Sequence, residues 1–501
     1  MSRTPNILLI TTDQQHYAAI GRKTELVKTP ALDRLADEGM LFDRAYCANP
    51  LCSPSRASII TGQYPSMHGC WTIGTKLDED RQTVGQLLTE AGYATSLIGK
   101  AHFQPLSSLP DQTSLEAPPT LRDLDFWRGF SGPYYGFEHI ELARNHGDEF
   151  WAGQHYAIWM EEKGLSNWRD YFQDESETAS RLHSWDLPEQ FHYTTFVGER
   201  SVAAIEAAVD ADTPFFTWAS FQDPHPPYLV PEPWASMYDP ADIELPHMEP
   251  GELDLMPEWF RKTQEGAPDF SAWQETPFQN HGFESHLIDE QALRKNIAVY
   301  YGMISFIDHE IGRILDRLDS LGVAENTLVV FTSDHGHFLG QHGLIAKGPF
   351  HYEDLVRVPM LARFPGRIPA GVSTTAMQSL VDLAPTFLQF AGLDIPLDMQ
   401  GISQVSTWKT PSTPARGHAI VENRHQPTKV HLRTYVDERY KLTRYRDQPY
   451  GDLFDLLDDP GETHNLYDDP SKRALRGQLA EDLTNAELRR EVSKYPRIAR
   501  A

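Results

Sequence analysis

The sequence has few cysteines, few basic residues and no long apolar run. Its three cysteines, Cys47, Cys52 and Cys70, are an odd number confined to one stretch of 501 residues, which excludes a disulfide framework. No apolar run approaches the ~18 residues of a membrane span, so no membrane association is expected. Lys and Arg total 44 against 71 Asp and Glu, a formal charge of −27. A nucleic-acid or polyanion binder would show a basic footprint instead, so no nucleic-acid partner is expected. A few local cations can still make one pocket attractive to a small anion. The run Ile7 to Ile10 is too short for a signal-peptide core and has no cleavage site after it, giving the expectation of a cytoplasmic protein. What is abundant is core material: 40% hydrophobic residues, with 11 Trp, 20 Tyr and 24 Phe. The length suits one large α/β domain with a satellite as well as two to four domains of ~150 residues.

Short apolar runs, each followed by polar residues and then a helical pattern, predict buried parallel strands. Ile7 to Thr11 runs into Asp13-Gln14, Ala94 to Ile98 into Lys100 and His102, Phe215 to Phe221 into Asp223 and His225, and Thr327 to Thr332 into Asp334-His335. Between Asn296 and Leu318, Ile297, Tyr300, Ile304, Ile307, Ile311, Ile314 and Leu318 recur at helical spacing. The alternation predicts an α/β fold with a large doubly wound, mainly parallel sheet flanked by helices. Ligands bind such sheets at the carboxyl ends of the strands, where all four runs end in titratable groups. The aromatic-rich stretch of about 105–190 is expected to be an insertion packing a small core of its own, with a substrate-shaping wall as the sharper reading. The polar stretch Ser406 to Arg416 reads as a linker. It divides a catalytic domain, 1–410, from a smaller C-terminal α+β domain, 411–501, with antiparallel strands at His418 to Val421, Leu432 to Val436 and Lys441 to Tyr445 and a closing helix from Ser471 to Leu488.

The most informative stretch is Cys52-Ser-Pro54-Ser-Arg56, followed by Thr61-Gly62. Pro54 suits the opening of a helix. Cys52 would then stand at a helix N-terminus, where free amides favour an anion, and Arg56 follows about one turn on.

This stretch resembles the Cys-x-Pro-x-Arg signature of the type I, formylglycine-dependent sulfatases of the alkaline-phosphatase-like superfamily. Asp13-Gln14 and Ser333-Asp334-His335-Gly336 look like that family's two metal pairs. Gly99-Lys100-Ala-His102, Pro224-His225-Pro-Pro and Lys347-Gly348 resemble its remaining site motifs, and Asp452-Leu-Phe-Asp455 with Asp459-Pro-Gly-Glu462 its C-terminal tail. The resemblance implies hydrolysis of a sulfate monoester, a sulfated carbohydrate or small organic sulfate, to alcohol and inorganic sulfate. It implies that Cys52 is oxidised to 3-oxoalanine (formylglycine) by a formylglycine-generating or maturase enzyme, and that one divalent cation is held by Asp13, Gln14, residue 52, Asp334 and His335. Calcium suits the oxygen donors; manganese is the second choice, because the imidazole of His335 stands where many calcium sulfatases have Asn, and magnesium is a further candidate. In the implied roles the residue-52 diol attacks sulfur and Arg56 steadies it. Lys100 and Lys347 clamp the sulfate, His225, with Lys347, protonates the leaving oxygen, and His102 takes the second diol proton. A homo-oligomer is compatible with the resemblance.

The subgroup flavour is that of choline sulfatases and phosphonate monoester hydrolases. A phosphonate monoester or phosphodiester hydrolase is therefore the first rival, disfavoured by the Lys100/His102 pair. A non-catalytic binding protein has no use for Cys-x-Pro-x-Arg. His337 and His342 read as support behind the metal residues or as loop packing. His68 and Trp71 are candidates for the pocket border, with Thr72-Ile73 where many relatives place Asn; Arg424 and His425 read by default as solvated surface, with a reach over the pocket as the alternative.

Overall fold

The computed structural model describes residues 4–144, 146–172, 183–278, 281–492, 495 and 498. Residues 145 and 173–182 of the aromatic-rich stretch lie outside this description. The main sheet has eight strands: β1 (Asn6–Thr12), β2 (Met40–Phe42), β3 (Ala94–Gly99), β4 (His139–Leu142), β5 (Phe215–Ser220), β6 (Thr327–Ser333), β7 (Met360–Arg363) and β8 (Val372–Thr374). Their order is β8-β2-β7-β6-β1-β5-β3-β4. The run from β6 to β4 is parallel, and β7 is antiparallel to both of its neighbours. All four strands predicted from sequence are therefore adjacent, about 4.8 Å apart, and their carboxyl ends deliver Asp13, Lys100, His225 and Asp334 to one edge.

Alternation along β1 shows why both faces need covering. Ile7 and Leu9 join a core with α2 (Cys52–Thr61) and α5 (Leu383–Ala391). Leu8 and Ile10 join the opposite core with α1 (Pro30–Glu38), α3 (Tyr193–Asp210) and α4 (Glu290–Ser320). The apolar stripe of α4, read from sequence as Asn296 to Leu318, is buried as expected, and the helix extends beyond it at both ends.

Two expectations are corrected. Among its described residues the aromatic-rich stretch makes no core of its own: Trp127, Tyr134 and Tyr135 enter one face of the main core, and Tyr156, Trp159 and Trp168 the other. Within the same stretch, β4 extends the main sheet. The expected linker is not a free tether. Val405–Lys409 forms a helical turn whose Trp408 is fully buried, and Arg416 pairs with Asp382 at 2.6 Å. Beyond it, β9 (Ala419–Arg424), β10 (His431–Val436), β11 (Tyr440–Tyr445) and β12 (Gly451–Asp455) form an antiparallel sheet in sequence order, followed by α6 (Arg473–Arg489). The fourth strand coincides with the Asp452-Leu-Phe-Asp455 motif.

Candidate active site

Helix α2 begins at Cys52 itself, two residues earlier than Pro54 suggested, so the proline sits inside the first turn, where its missing N–H is still harmless. Cys52 thus occupies the first helical position at the strand-end edge. Its sulfur lies 3.4 Å from Asp13 Oδ1, 3.2 Å from His335 Nε2 and 3.1 Å from Lys347 Nζ. The other nine predicted site residues converge around it. Lys100 Nζ forms an ion pair with Asp13 Oδ2. Arg56, fully buried behind Cys52, donates to Asp334 Oδ2 at 3.2 Å and to Ala101 O at 3.0 Å. Lys347 also donates to Gln14 Oε1 at 2.8 Å and to His225 Nε2 at 3.0 Å.

Local backbone explains part of this convergence. Gly99, at φ +98°, lies so close to Ser220 O that a Cβ would approach it to 2.1 Å. Only glycine lets β3 turn there and hand Lys100 to the edge. Gln14 and His102 hold left-handed conformations at φ +65° and +58°, which for such residues signals a backbone fixed by its surroundings. For His102 the fixing group is Glu116, whose carboxylate accepts the backbone N–H groups of His102, Phe103 and Gln104.

The hydrogen bonds assign the ring nitrogens. His335 Nδ1–H donates to Gly336 O at 2.9 Å, leaving Nε2 bare and facing Asp13 and Asp334, each at 3.8 Å. The donor atoms of Asp13, Cys52, Asp334 and His335 all lie within 4.8 Å of one another. Two carboxylates, a soft nucleophile and an imidazole with an inward lone pair fit a divalent cation. The electrostatics agree. Burial alone would push His335 down, but Asp334 and Cys52 outweigh it and raise its pKa, so the surroundings favour positive charge at this point. His225 Nδ1–H donates to Pro226 O at 2.5 Å, so its Nε2 is the acceptor facing Lys347.

Burial opposes ionisation of Asp13, yet Lys100, His225, Lys347 and His335 together hold its carboxyl well below the usual range. Burial and Asp13 raise the Cys52 thiol; Lys347, Lys100 and His335 outweigh them and bring it below its ordinary value. Burial, helped by neighbouring cations, pushes His102 and His225 well down and keeps both neutral.

Two site residues escaped the sequence reading. Arg144, 7% exposed, donates from Nη2 to His102 Nε2 at 3.1 Å. His146 Nε2 lies 3.1 Å from Lys100 Nζ, and its ring stacks on that of His225 with centroids 4.3 Å apart. Both follow β4, a strand too short and too mixed to stand out; the only signal was a pair of basic residues just past Leu142. With Cys52, Lys100, His102, His225 and Lys347 they line a pocket of about 220 Å³. His337 contributes from outside it: Gln14 Nε2 donates to its Nδ1 at 2.7 Å, and its Nε2–H donates to Tyr228 OH at 2.7 Å. His68 hydrogen-bonds Ser58 Oγ at 3.0 Å and stays in the core. His425, expected at the surface, is buried, and Arg424 covers the ring of Trp71 at 5.0 Å.

The sulfatase family model matches residues 5–393. The chain belongs to the sulfatase family. A second model, that of the C-terminal region of N-sulphoglucosamine sulphohydrolase, matches residues 340–489. The sulfatase is similar to an arylsulfatase of Clostridium perfringens, 30% identical over 92% of this chain and 90% of the relative. It is also similar to an N-acetylglucosamine-6-O-sulfatase of Bacteroides thetaiotaomicron, 27% identical over 93% and 83%. Its fold matches that of a phosphonate monoester hydrolase from Silicibacter pomeroyi, with a TM-score of 0.79, 24% identity and coverage of 98% and 96%. The enzyme is a sulfuric ester hydrolase that converts a sulfate monoester to an alcohol and inorganic sulfate.

Proposed function

We propose that the sulfatase works through formylglycine, formed from Cys52 by a separate maturation enzyme, and through one divalent cation held by Asp13, Gln14, residue 52, Asp334 and His335. Calcium is the first choice, manganese the second and magnesium a further candidate. When present, the formylglycine hydrate supplies the nucleophile and the cation offsets negative charge beside it. The observation that carries this reading is Lys347, whose one ammonium contacts Cys52 Sγ, Gln14 Oε1 and His225 Nε2. It links nucleophile, cation ligand and proton donor.

The chain's own residues divide the remaining work. Lys100 and Lys347 face the pocket from two sides and bind the sulfate oxygens, where each well-placed donor supplies ~2.7–4 kcal/mol of transition-state stabilisation. Arg56 is screened from the pocket by Cys52 and Asp334 and neutralises the anionic wall. His225 enters the reaction neutral, with its Nδ1–H held by Pro226 O and its Nε2 sharing a proton with Lys347 Nζ, so the leaving oxygen takes its proton from this Nζ–Nε2 pair. His102, kept neutral by burial and Arg144, accepts the second proton from residue 52 on Nε2, which must exchange its hydrogen bond from Arg144 for that proton. Lys100 and His102 together favour sulfate esters over the phosphonate-ester alternative.

Peptide mass spectrometry of active protein tests the maturation claim. Formylglycine at position 52 is the expected species, and fully active protein with intact cysteine would refute it. Metal analysis of the same sample tests the cation.

A further inference from the structure

The sulfate pocket opens into a second chamber of about 480 Å³, in the size range of a site for a drug-sized ligand. Ile73, Leu106, Trp151 and His281 line both spaces, so the chamber is where the ester's alcohol portion extends once its sulfate is seated. Its walls come from separate segments. Trp71 and Ile73 follow α2, Pro105 and Leu106 follow the Lys100–His102 turn, and Trp151 lies past β4. Among the described residues lining it there is no Asp, Glu, Lys, Arg, Asn or Gln; the hydrogen-bonding groups are those of threonine, serine and histidine and the two indole N–H groups. Arg424 lies over the ring of Trp71 and is not part of the described lining.

This composition divides substrates by their alcohol. A sugar carries a hydroxyl on almost every carbon, and each one buried without a partner weakens binding by about tenfold. A second sulfate or a carboxylate in the chamber would find no lysine or arginine in its described lining. A ring of carbon, by contrast, gains from contact with two tryptophans, an isoleucine and a leucine.

We propose that the chamber is a leaving-group site for apolar ring alcohols, and that the enzyme's substrates are monosulfate esters of such alcohols and not sulfated saccharides. This inference rests on the sulfatase reading and adds the substrate class. The specificity residues are Trp71, Ile73 and Trp151.

The test must hold leaving-group chemistry constant, because aryl sulfates are intrinsically labile. Cyclohexylmethyl sulfate and D-glucose 6-sulfate are both esters of a primary alcohol on a six-membered ring. The matured holoenzyme is expected to show kcat/KM at least a hundredfold higher for the former. A ratio below tenfold overturns the proposal. A second arm uses Ile73→Asn, which places an amide in the wall. It is expected to lower the ratio of cyclohexylmethyl sulfate to methyl sulfate kcat/KM by tenfold or more, and an unchanged ratio counts against the chamber. Nitrophenyl sulfate is run alongside. If it and every other ester remain uncleaved, the failure lies in the underlying sulfatase reading; if it is cleaved while glucose 6-sulfate matches cyclohexylmethyl sulfate, only the chamber assignment fails.

Discussion

Lys347 holds its ammonium 3.1 Å from the sulfur of Cys52. The contact joins a residue from a loop beyond β6 to the first residue of α2, 295 positions earlier. It brings a buried cation to the point where negative charge develops, inside a protein of charge −27. Lys347→Ala is expected to lower kcat on sulfate esters by roughly two to three orders of magnitude. Lys100→Ala should lose a similar amount. Steady-state kinetics on folded variants decides the point; a loss confined to KM would assign the lysines to ground-state binding only.

His225 can be separated from the lysines by leaving group. Its Nδ1 is committed to Pro226 O and its Nε2 meets Lys347 at the pocket, so it acts on the leaving oxygen from Nε2, together with Lys347. His225→Ala should slow an alkyl sulfate much more than nitrophenyl sulfate, whose phenoxide leaves unaided. Equal losses on the two esters would remove His225 from that role.

Asp334 serves two partners, and its substitutions should show both. It belongs to the donor cluster with Asp13, Cys52 and His335, and it pairs with Arg56 where both side chains are fully buried. Asp334→Ala should lose the cation and also destabilise the fold by about 3–5 kcal/mol, because Arg56 is left as an uncompensated buried charge. Asp13→Asn should also lose the cation. Metal retained at full stoichiometry in both variants would place the site elsewhere.

His342 gives a prediction about pH and stability, away from the chemistry. Burial opposes its protonation, but Asp354 and Glu252 outweigh it and push its pKa up to about 9. A folded-state value above the unfolded value of ~6.5 means that the stabilisation is fully present below pH ~6.5 and fades as pH rises through about 9. His342→Asn tolerates the local φ of +57°. It should cost about 3 kcal/mol near pH 6 and little above pH 9.5. Urea unfolding at the two pH values measures the difference, and a pH-independent loss would contradict the linkage.

That the ten candidate residues would come together was legible in sequence because each stands in a short local pattern at a strand end or helix start. The central strands were legible for the same reason: β1, β3, β5 and β6 are continuous apolar runs buried on both faces. Arg144 and His146 were not, because β4 alternates His139, Ile140, Glu141 and Leu142 and carries too few apolar residues to stand out. The fate of the aromatic-rich stretch was hidden for another reason. Nothing in the spacing of Trp127, Tyr156 and Trp168 says whether they bury against each other or against a sheet formed elsewhere in the chain. The apolar chamber, assembled from residues as distant as Trp71, Trp151 and His425, exists only after folding.

The measurement that bears most directly on the central claim is the ratio of kcat/KM for nitrophenyl sulfate to that for nitrophenyl phenylphosphonate, on matured, metal-loaded enzyme, with Cys52→Ala as control. The account predicts a clear preference for the sulfate ester and loss of both activities in the control. Faster cleavage of the phosphonate than of every sulfate ester tested, or full sulfatase activity in Cys52→Ala, would contradict it.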